Sequence, residues 1–339
     1  MRSEDTAKTF FVVIARRHPI KTLECKLRRR SNPEQLSYLH SSLSALHSVV
    51  IRGFLMPDFY VDLHIHTNWS DGSLTPSEVV DYAAKIKLAA ISITDHDSVD
   101  GIEEAVKAAS KTSLEVIPGI ELSSEVGNSE KAEMHILGYY IDYKSQKLNE
   151  TLSVFKKARI ERAHVILEKL KKAGINLRDE SFLDNVGKKA IGRLHFAKAL
   201  VEEGFTGSIS EAFNRYLAHD KPAYAPKYSM TASEAIKLIR SAGGVPVMAH
   251  PYYTHYNDNE MLRSLVNDGL MGIEAWHIKH PDNMVKKFLN LAQEFDLIAT
   301  GGSDCHGPYK DEGPIIGRVK VPYSVVENLE KAKKAMING

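Results

Sequence analysis

At 339 residues, with 43 % hydrophobic and 26 % charged side chains, the chain has the composition of a folded globular protein, which excludes wholesale disorder and a collagen-like repeat. Two cysteines, Cys25 and Cys305, are too few for a disulfide framework, and no run approaches the roughly 18 apolar residues of a membrane span, so a reducing, cytoplasmic setting is expected. The net charge of +1 conceals ten Lys/Arg against four Asp/Glu in residues 1–55, leaving a mildly acidic body that argues against a broad duplex-binding surface.

Residues 1–56 read as a basic N-terminal extension that is not part of the core. RRHPIK and KLRRRS flank short apolar runs without helical or strand period. FFVVIA is short, follows acidic residues and has no small-residue cleavage site after it, which disfavours a secretory signal. From residue 57 short apolar runs alternate with amphipathic segments, the pattern of a βα-repeating α/β fold. Seven strands are expected: FYVDLHIH (59–66), AAISITDH (89–96), EVIPGIE (115–121), AEMHILGYY (132–140), VPVMAH (245–250), MGIEAWH (271–277) and LIATGGSD (297–304). Capping-box starts at Thr75/Glu78, Thr231/Glu234 and Ser324/Glu327 punctuate the helices between them. Residues 57–144 form the first part of the βα body and 236–339 the second. Between them, 145–235 read as a helical insertion: a long charged helix from about Asn149 to Ala173, then GRLHFAKALVEEG, SISEAFNRYL and the PAYAPKY loop. Such an insertion is placed to cover a site.

Histidine is the informative residue. His64, His66, His96, His135, His250 and His306 are expected at or just past the C-terminal ends of strands, with Asp71, Glu121 and Asp304 beside the same ends, and active sites of βα barrels form at that face. One such histidine is ordinary, so His255, His277 and His280 carry no functional reading. By strand parity His64 and His66 share a face, as do Asp304 and His306, while Ile65 and Cys305 point the other way and Cys305 is a packed thiol. Imidazole with carboxylate suits Zn²⁺, Mn²⁺ or Fe²⁺ rather than Ca²⁺.

DLHIHTNWSDGSLTP, SITDHDSVDG, VIPGIELS, HILGYY, VMAHP and GGSDCHG, in this order, together resemble the polymerase and histidinol phosphatase (PHP) family of metal-dependent phosphoesterases, over residues 57–338. The resemblance implies a distorted (β/α)7 PHP barrel and three divalent metal ions, Mn²⁺ first, with Zn²⁺ or Fe²⁺ as alternatives. By the family pattern one metal takes His64, His66, Glu121 and Asp304; a second shares Glu121 with His135 and His250; a third takes Asp71, His96 and His306. Asp71 stands where many members have histidine, which favours a harder ion at the third position. Asp62 and Asp95 are candidates to orient imidazoles from behind, or simply buried polar structure.

The function implied is hydrolysis of phosphate esters by a metal-bound water, with no side-chain nucleophile. Three divalent cations outweigh three carboxylates, so the site attracts anions. Arg193, His195 and Lys227 in the insertion are candidate substrate contacts, a guanidinium matching phosphate oxygens bidentately. Their pattern resembles the stand-alone branch of the family, which implies a 3′,5′-nucleotide bisphosphate 3′-phosphatase, a 5′–3′ exonuclease on short oligonucleotides, or both. The alternatives are a phosphatase of small monoesters such as histidinol phosphate, a metal amidohydrolase, and a non-catalytic PHP module. The partner expected is a nucleotide or short oligonucleotide, with no membrane and no protein partner inferred.

Overall fold

The computed structural model describes residues 59–126, 133–178, 192–252, 259–308 and 313–338. The N-terminal extension, Cys25, His255 and residues 179–191 of the expected insertion lie outside them. The chain runs β1 (Tyr60–Ile65), α1 (Pro76–Lys85), β2 (Ala90–Ile93), α2 (Ile102–Ala109), β3 (Glu115–Glu125), β4 (Glu133–Tyr139), α3 (Gln146–Lys172), α4 (Arg193–Glu202) and α5 (Ile209–Ala212), which continues into a π-helical turn at Phe213–Leu217. It then forms β5 (Met230–Thr231), α6 (Ala232–Ser241), β6 (Val245–Met248), α7 (Asn259–Asn267), β7 (Gly272–His277), α8 (Asp282–Glu294), β8 (Ile298–Gly302), β9 (Val321–Pro322) and α9 (Ser324–Asn338). No described helix is long and apolar enough to cross a membrane.

All seven expected strands form, and they lie in one sheet ordered β8-β7-β6-β4-β3-β2-β1-β9. The two ends approach each other where the Asp304 amide donates to the His64 carbonyl (2.8 Å) and the His66 amide to that of Cys305 (2.9 Å), so the sheet curls into a nearly closed barrel. Gly302 makes that seam possible, because a Cβ there would stand 2.4 Å from the His64 nitrogen. Strands such as β2, AISI, are buried at every position, as expected where helices cover the outside of a largely parallel sheet and side chains fill the inside. Each large aliphatic side chain removed from water contributes on the order of 1.5–3 kcal/mol.

One strand corrects the uniform βα reading. β4 pairs antiparallel with both β3 and β6, Ser123 facing His135 and Leu137 facing Val247. His135 therefore sits near the start of its strand rather than at its C-terminal end, and it reaches the same rim because β4 runs toward the opposite end of the barrel. A period-two apolar pattern carries no direction, so the sequence could not show the reversal.

Helix starts follow local chemistry. Thr75 and Thr231 cap α1 and α6 reciprocally with Glu78 and Glu234; Ser324, expected to do the same, is instead the first residue of its helix. The side chains split into separate apolar clusters. Leu148 and Leu152, from the first turns of α3, pack in the barrel's cluster with Ile120, Ile136 and Ile236. Ala163, Ile166, Leu167 and Leu170, further along the same helix, pack with Phe196 and Leu200 of α4 and with Leu217. Cys305 packs with Ile65 and Ile91 beneath the rim.

Candidate metal centre

The rim at the C-terminal ends of β1, β2, β6 and β8 gathers all nine expected ligands. Glu121, fully buried on β3, is the hub. Its Oε1 lies 2.8 Å from His135 Nδ1 and 2.9 Å from His250 Nε2, and its Oε2 lies 3.0 Å from His96 Nδ1, 3.2 Å from His66 Nε2 and 3.4 Å from His64 Nε2. Asp304 Oδ1 stands 3.2 Å from His66 Nε2 and 3.6 Å from His64 Nε2, and the two Nε2 atoms are 3.2 Å apart. Asp71 meets His306 at 3.3 Å, His66 at 3.8 Å and His96 at 3.9 Å.

These spacings are those of ligands around cations. Four donors bound to one ion at about 2.0–2.1 Å would stand roughly 3.4 Å from one another in tetrahedral geometry, and His64, His66, Glu121 and Asp304 are separated by 3.2–3.6 Å in each measured pair. Oε2 of Glu121 and Oδ1 of Asp71 are buried and accept no hydrogen bond of normal geometry, a costly arrangement unless a positive group compensates it. The donor set thus fits divalent metal ions.

The electrostatics agree. Burial alone would raise the carboxyls, yet surrounding imidazoles hold Glu121, Asp71 and Asp304 well below the usual carboxylate range. Burial opposes protonation of His66 and His135 too, but Asp304 and Glu121 raise the first to about 10, and Glu121 with Glu133 raises the second to about 9. His64 is likewise raised against burial, by Glu274, Glu121 and Asp304. Among these ligands His96 follows burial, down to about 3. Ionised acids that draw protons onto neighbouring imidazoles form a site where a cation replaces those protons.

Strand parity holds on β1, where His64 and His66 face inward together while Cys305 and Ile65 pack on the other side. Past β8 the extended backbone does not continue: Asp304 has φ +52°, and His250 after β6 has φ +23°. Non-glycine residues in this region cost of order 1–3 kcal/mol, strain characteristic of functional positions. Asp62 and Asp95 do not orient imidazoles. Asp62 accepts backbone amides of Ser303 and Gly317, each at 2.8 Å, and so fastens the seam. Asp95 takes the Thr67 amide (2.7 Å) and the Thr67 and Ser70 hydroxyls, holding the loop that presents Asp71.

Sequence reasoning missed the carboxylate that does contact an imidazole from behind. Glu274, fully buried on β7, accepts from His64 Nδ1 at 3.0 and 3.2 Å. A lone acid in the apolar run MGIEAWH was the available signal, since an isolated buried charge demands a partner. His277, set aside as ordinary, lies 3.3 Å from Asp304 through Nε2.

The insertion's basic groups are also placed. Arg193 donates to the Leu217 carbonyl (3.3 Å) and lies over the rings of Phe213 and Tyr224. His195 accepts from the Gly192 amide (3.2 Å), and burial, against the pull of Asp71, lowers it. Lys227 is 3.0 Å from Glu133, which in turn stands 3.4 Å from His135. Two further arginines on α3 were not foreseen. Arg159 pairs with Asp97, directly after His96. Arg162 is 9 % exposed, and its Nη2 is buried without a hydrogen-bond partner; burial, with Arg193 and Arg159 nearby, lowers it to about 10. In the sequence both look like the solvated face of a charged helix.

Comparison with known proteins places this arrangement. The family model described as PHP domain matches residues 62–245. The chain is 34 % identical to a 3′,5′-nucleoside bisphosphate phosphatase of Chromobacterium violaceum, over 73 % of this chain and 87 % of that protein. It is 35 % identical to the 5′-3′ exoribonuclease Rnm of Escherichia coli, over 73 % of this chain and 85 % of that one. Among solved structures, a proposed metal-dependent phosphoesterase of Bifidobacterium adolescentis superposes with a TM-score of 0.72 and 31 % identity, covering 80 % of this chain and 96 % of that one. A structure from Chromobacterium violaceum described as an amidohydrolase, with bound sulfate and no metal, gives 0.71 and 32 %, covering 81 % and 96 %. With its nearly closed barrel, its rim of imidazoles and carboxylates, and a family match over more than half its length, the chain belongs to the PHP domain family.

Proposed function

We propose that the protein is a metal-dependent phosphoesterase that removes the 3′-phosphate of 3′,5′-nucleoside bisphosphates and degrades short oligonucleotides from a 5′-phosphate. The observation that carries this reading is the pairing of two unlike regions: nine imidazole and carboxylate groups meeting at the barrel rim, and a basic group of Arg159, Arg162 and Arg193 in the neighbouring helices. The relatives' names supply the substrate class.

His64, His66, Glu121 and Asp304 would hold one ion, Glu121, His135 and His250 a second, and Asp71, His96 and His306 a third, with Mn²⁺ the first choice of ion. Bound divalent ions supply Lewis-acid activation of water and neutralise charge on the phosphoryl oxygens. The chain's own residues do the rest. The Glu121 carboxylate keeps adjacent positions at fixed separation. Asp71 and His306 hold the outer side of the rim, where His195 approaches from the insertion. Arg193, Arg162 and Lys227 grip the second phosphate, the guanidinium groups giving it paired hydrogen bonds that water cannot.

The test follows the Mn²⁺-loaded chain by release of inorganic phosphate from adenosine 3′,5′-bisphosphate and histidinol phosphate, and by release of mononucleotide from 5′-phosphorylated and 5′-hydroxyl RNA trimers. Turnover of the bisphosphate and of the 5′-phosphorylated trimer, well above the other two, is the expected result. Preference for histidinol phosphate would overturn the assignment of the second-phosphate grip while leaving the metal centre in place.

A further inference from the structure

We propose that β7, which carries none of the nine expected ligands, is a positioning strand: Glu274 orients His64 and pins the backbone of His250, and His277 orients Asp304. The inference rests on reading the rim as a metal centre.

Glu274 serves two partners. His64 Nδ1 stands 3.0 Å from one carboxylate oxygen, and the His250 amide donates to the other at 2.8 Å. With Nδ1–H committed to an anion, the nitrogen His64 can offer to a cation is Nε2, the atom that faces His66, Glu121 and Asp304. The His250 amide is the donor of a residue held at φ +23°, so the same carboxylate fixes a backbone that does not hold itself. Two converging donors require two acceptors, which a carboxylate offers and an amide side chain does not.

His277 works through the opposite tautomer. Its Nδ1 accepts the Lys279 amide at 3.2 Å, which leaves Nε2 as the ring's donor; that nitrogen lies 3.3 Å from Asp304 Oδ2, close to it but not aligned as a regular hydrogen bond. Oδ1 of the same carboxylate is left turned toward His64 and His66. Metal ligation by a neutral His277 through Nε2 would place its proton on Nδ1, directly against the Lys279 amide. His277 is therefore a positioning residue and not a tenth ligand, although His64, His277 and Asp304 lie close enough to suggest a metal group by distance alone.

A backbone feature lets one short strand do both. Residues 274 and 277 are an odd number apart and would face opposite sides of a regular strand. The pairing of β7 with β8 shifts between Glu274 and Trp276, with Glu274 opposite Thr300 but Trp276 already opposite Gly301. A bulge of one residue restores the parity, so both side chains turn into the barrel.

The experiment uses the full chain, stripped of metal, titrated with Mn²⁺ and then desalted for elemental analysis. Thermal melting of the metal-free form is measured in parallel. Glu274→Gln is expected to weaken Mn²⁺ binding about 10- to 100-fold, the range for partners behind ligands, with the number of ions bound at saturation unchanged. His277→Phe, which keeps ring volume but loses the N–H, should weaken binding similarly, and His277→Gln, which restores a donor toward Asp304, should recover most of it. Glu115→Gln, which removes an acceptor from Tyr323 far from the rim, is the control that moves melting but not affinity. Wild-type affinity in both Glu274→Gln and His277→Phe overturns the proposal. Loss of one ion from the saturated count in both His277 variants also overturns it, because that is the signature of a ligand. If the wild-type chain itself retains no ion, the reading of the rim as a metal centre fails first and this inference with it.

Discussion

The barrel rim and the helical region that follows β4 solve opposite electrostatic problems. At the rim, the buried Glu121 and the half-buried Asp71 and Asp304 are surrounded by six imidazoles, with Glu121 touching five of them. In the helices, Arg159, Arg162 and Arg193 gather, with Asp97 paired to Arg159 and Glu133 acting on Arg162 among the described acids. The first region asks for cations and the second for an anion. On the proposed reading, a substrate that bridges them carries one phosphate for the chemistry and a second for grip, a division of reaction from selectivity.

The comparison breaks most visibly if the rim is not the chemical half. His66→Ala or Asp304→Ala should lower phosphate release by about 10³-fold or more on every substrate, roughly 4 kcal/mol of transition-state stabilisation, with the far-ultraviolet circular dichroism of the wild type. Removal of metal by a chelator should do the same and be reversed by Mn²⁺. Retained turnover in either case ends the argument.

A smaller effect sharpens the other half. Arg193→Ala should raise KM for a 3′,5′-bisphosphate about 10- to 100-fold, the value of a charge-assisted contact of roughly 1.5–3 kcal/mol, while leaving KM for a small chromogenic monoester unchanged. Equal increases on both substrates would mean that the two regions do not divide the work.

The rim also predicts a pH signature. His66 and His135 are raised to about 10 and about 9 in the metal-free protein. Their contribution to its stability is fully present below the unfolded value of about 6.5 and is lost as pH rises through 9 to 10. An entering ion displaces those same protons, so Mn²⁺ affinity rises over that window. The difference in melting temperature between Mn²⁺-loaded and metal-free protein should widen from pH 6.5 to pH 9; a constant difference would remove these imidazoles from the ligand set. The smallest expected effect lies outside both regions. Thr75→Ala, which breaks the α1 capping box, should cost about 1 kcal/mol of unfolding free energy with no change in kcat.

Much of this was legible in the sequence because it is carried by local patterns. HxH in β1, the DxH after β8 and the remaining ligands fall at ends of apolar runs, and those runs are long enough to show a period. What escaped is set by partners distant in the chain. The reversal of β4 depends on which neighbours it pairs with. The inward turn of His277 depends on a one-residue bulge, and strict alternation would have faced it away. β5 and β9 are two residues each, too short for any periodic signal. Arg159 and Arg162 sit among Lys156, Lys157 and Glu161, and only the fold distinguishes a buried guanidinium from a solvated one.

The 27 residues of α3 form a rod about 40 Å long at 1.5 Å per residue. It starts from the strand that runs against its neighbours, is rooted in the barrel at Leu148 and Leu152, and is anchored among the other helices from Ala163 onward. A rod embedded at both ends acts as a strut, with Arg159 clasped to Asp97 at its midpoint. A proline introduced between Leu152 and Ala163 would therefore break the strut while leaving each apolar cluster its own side chains.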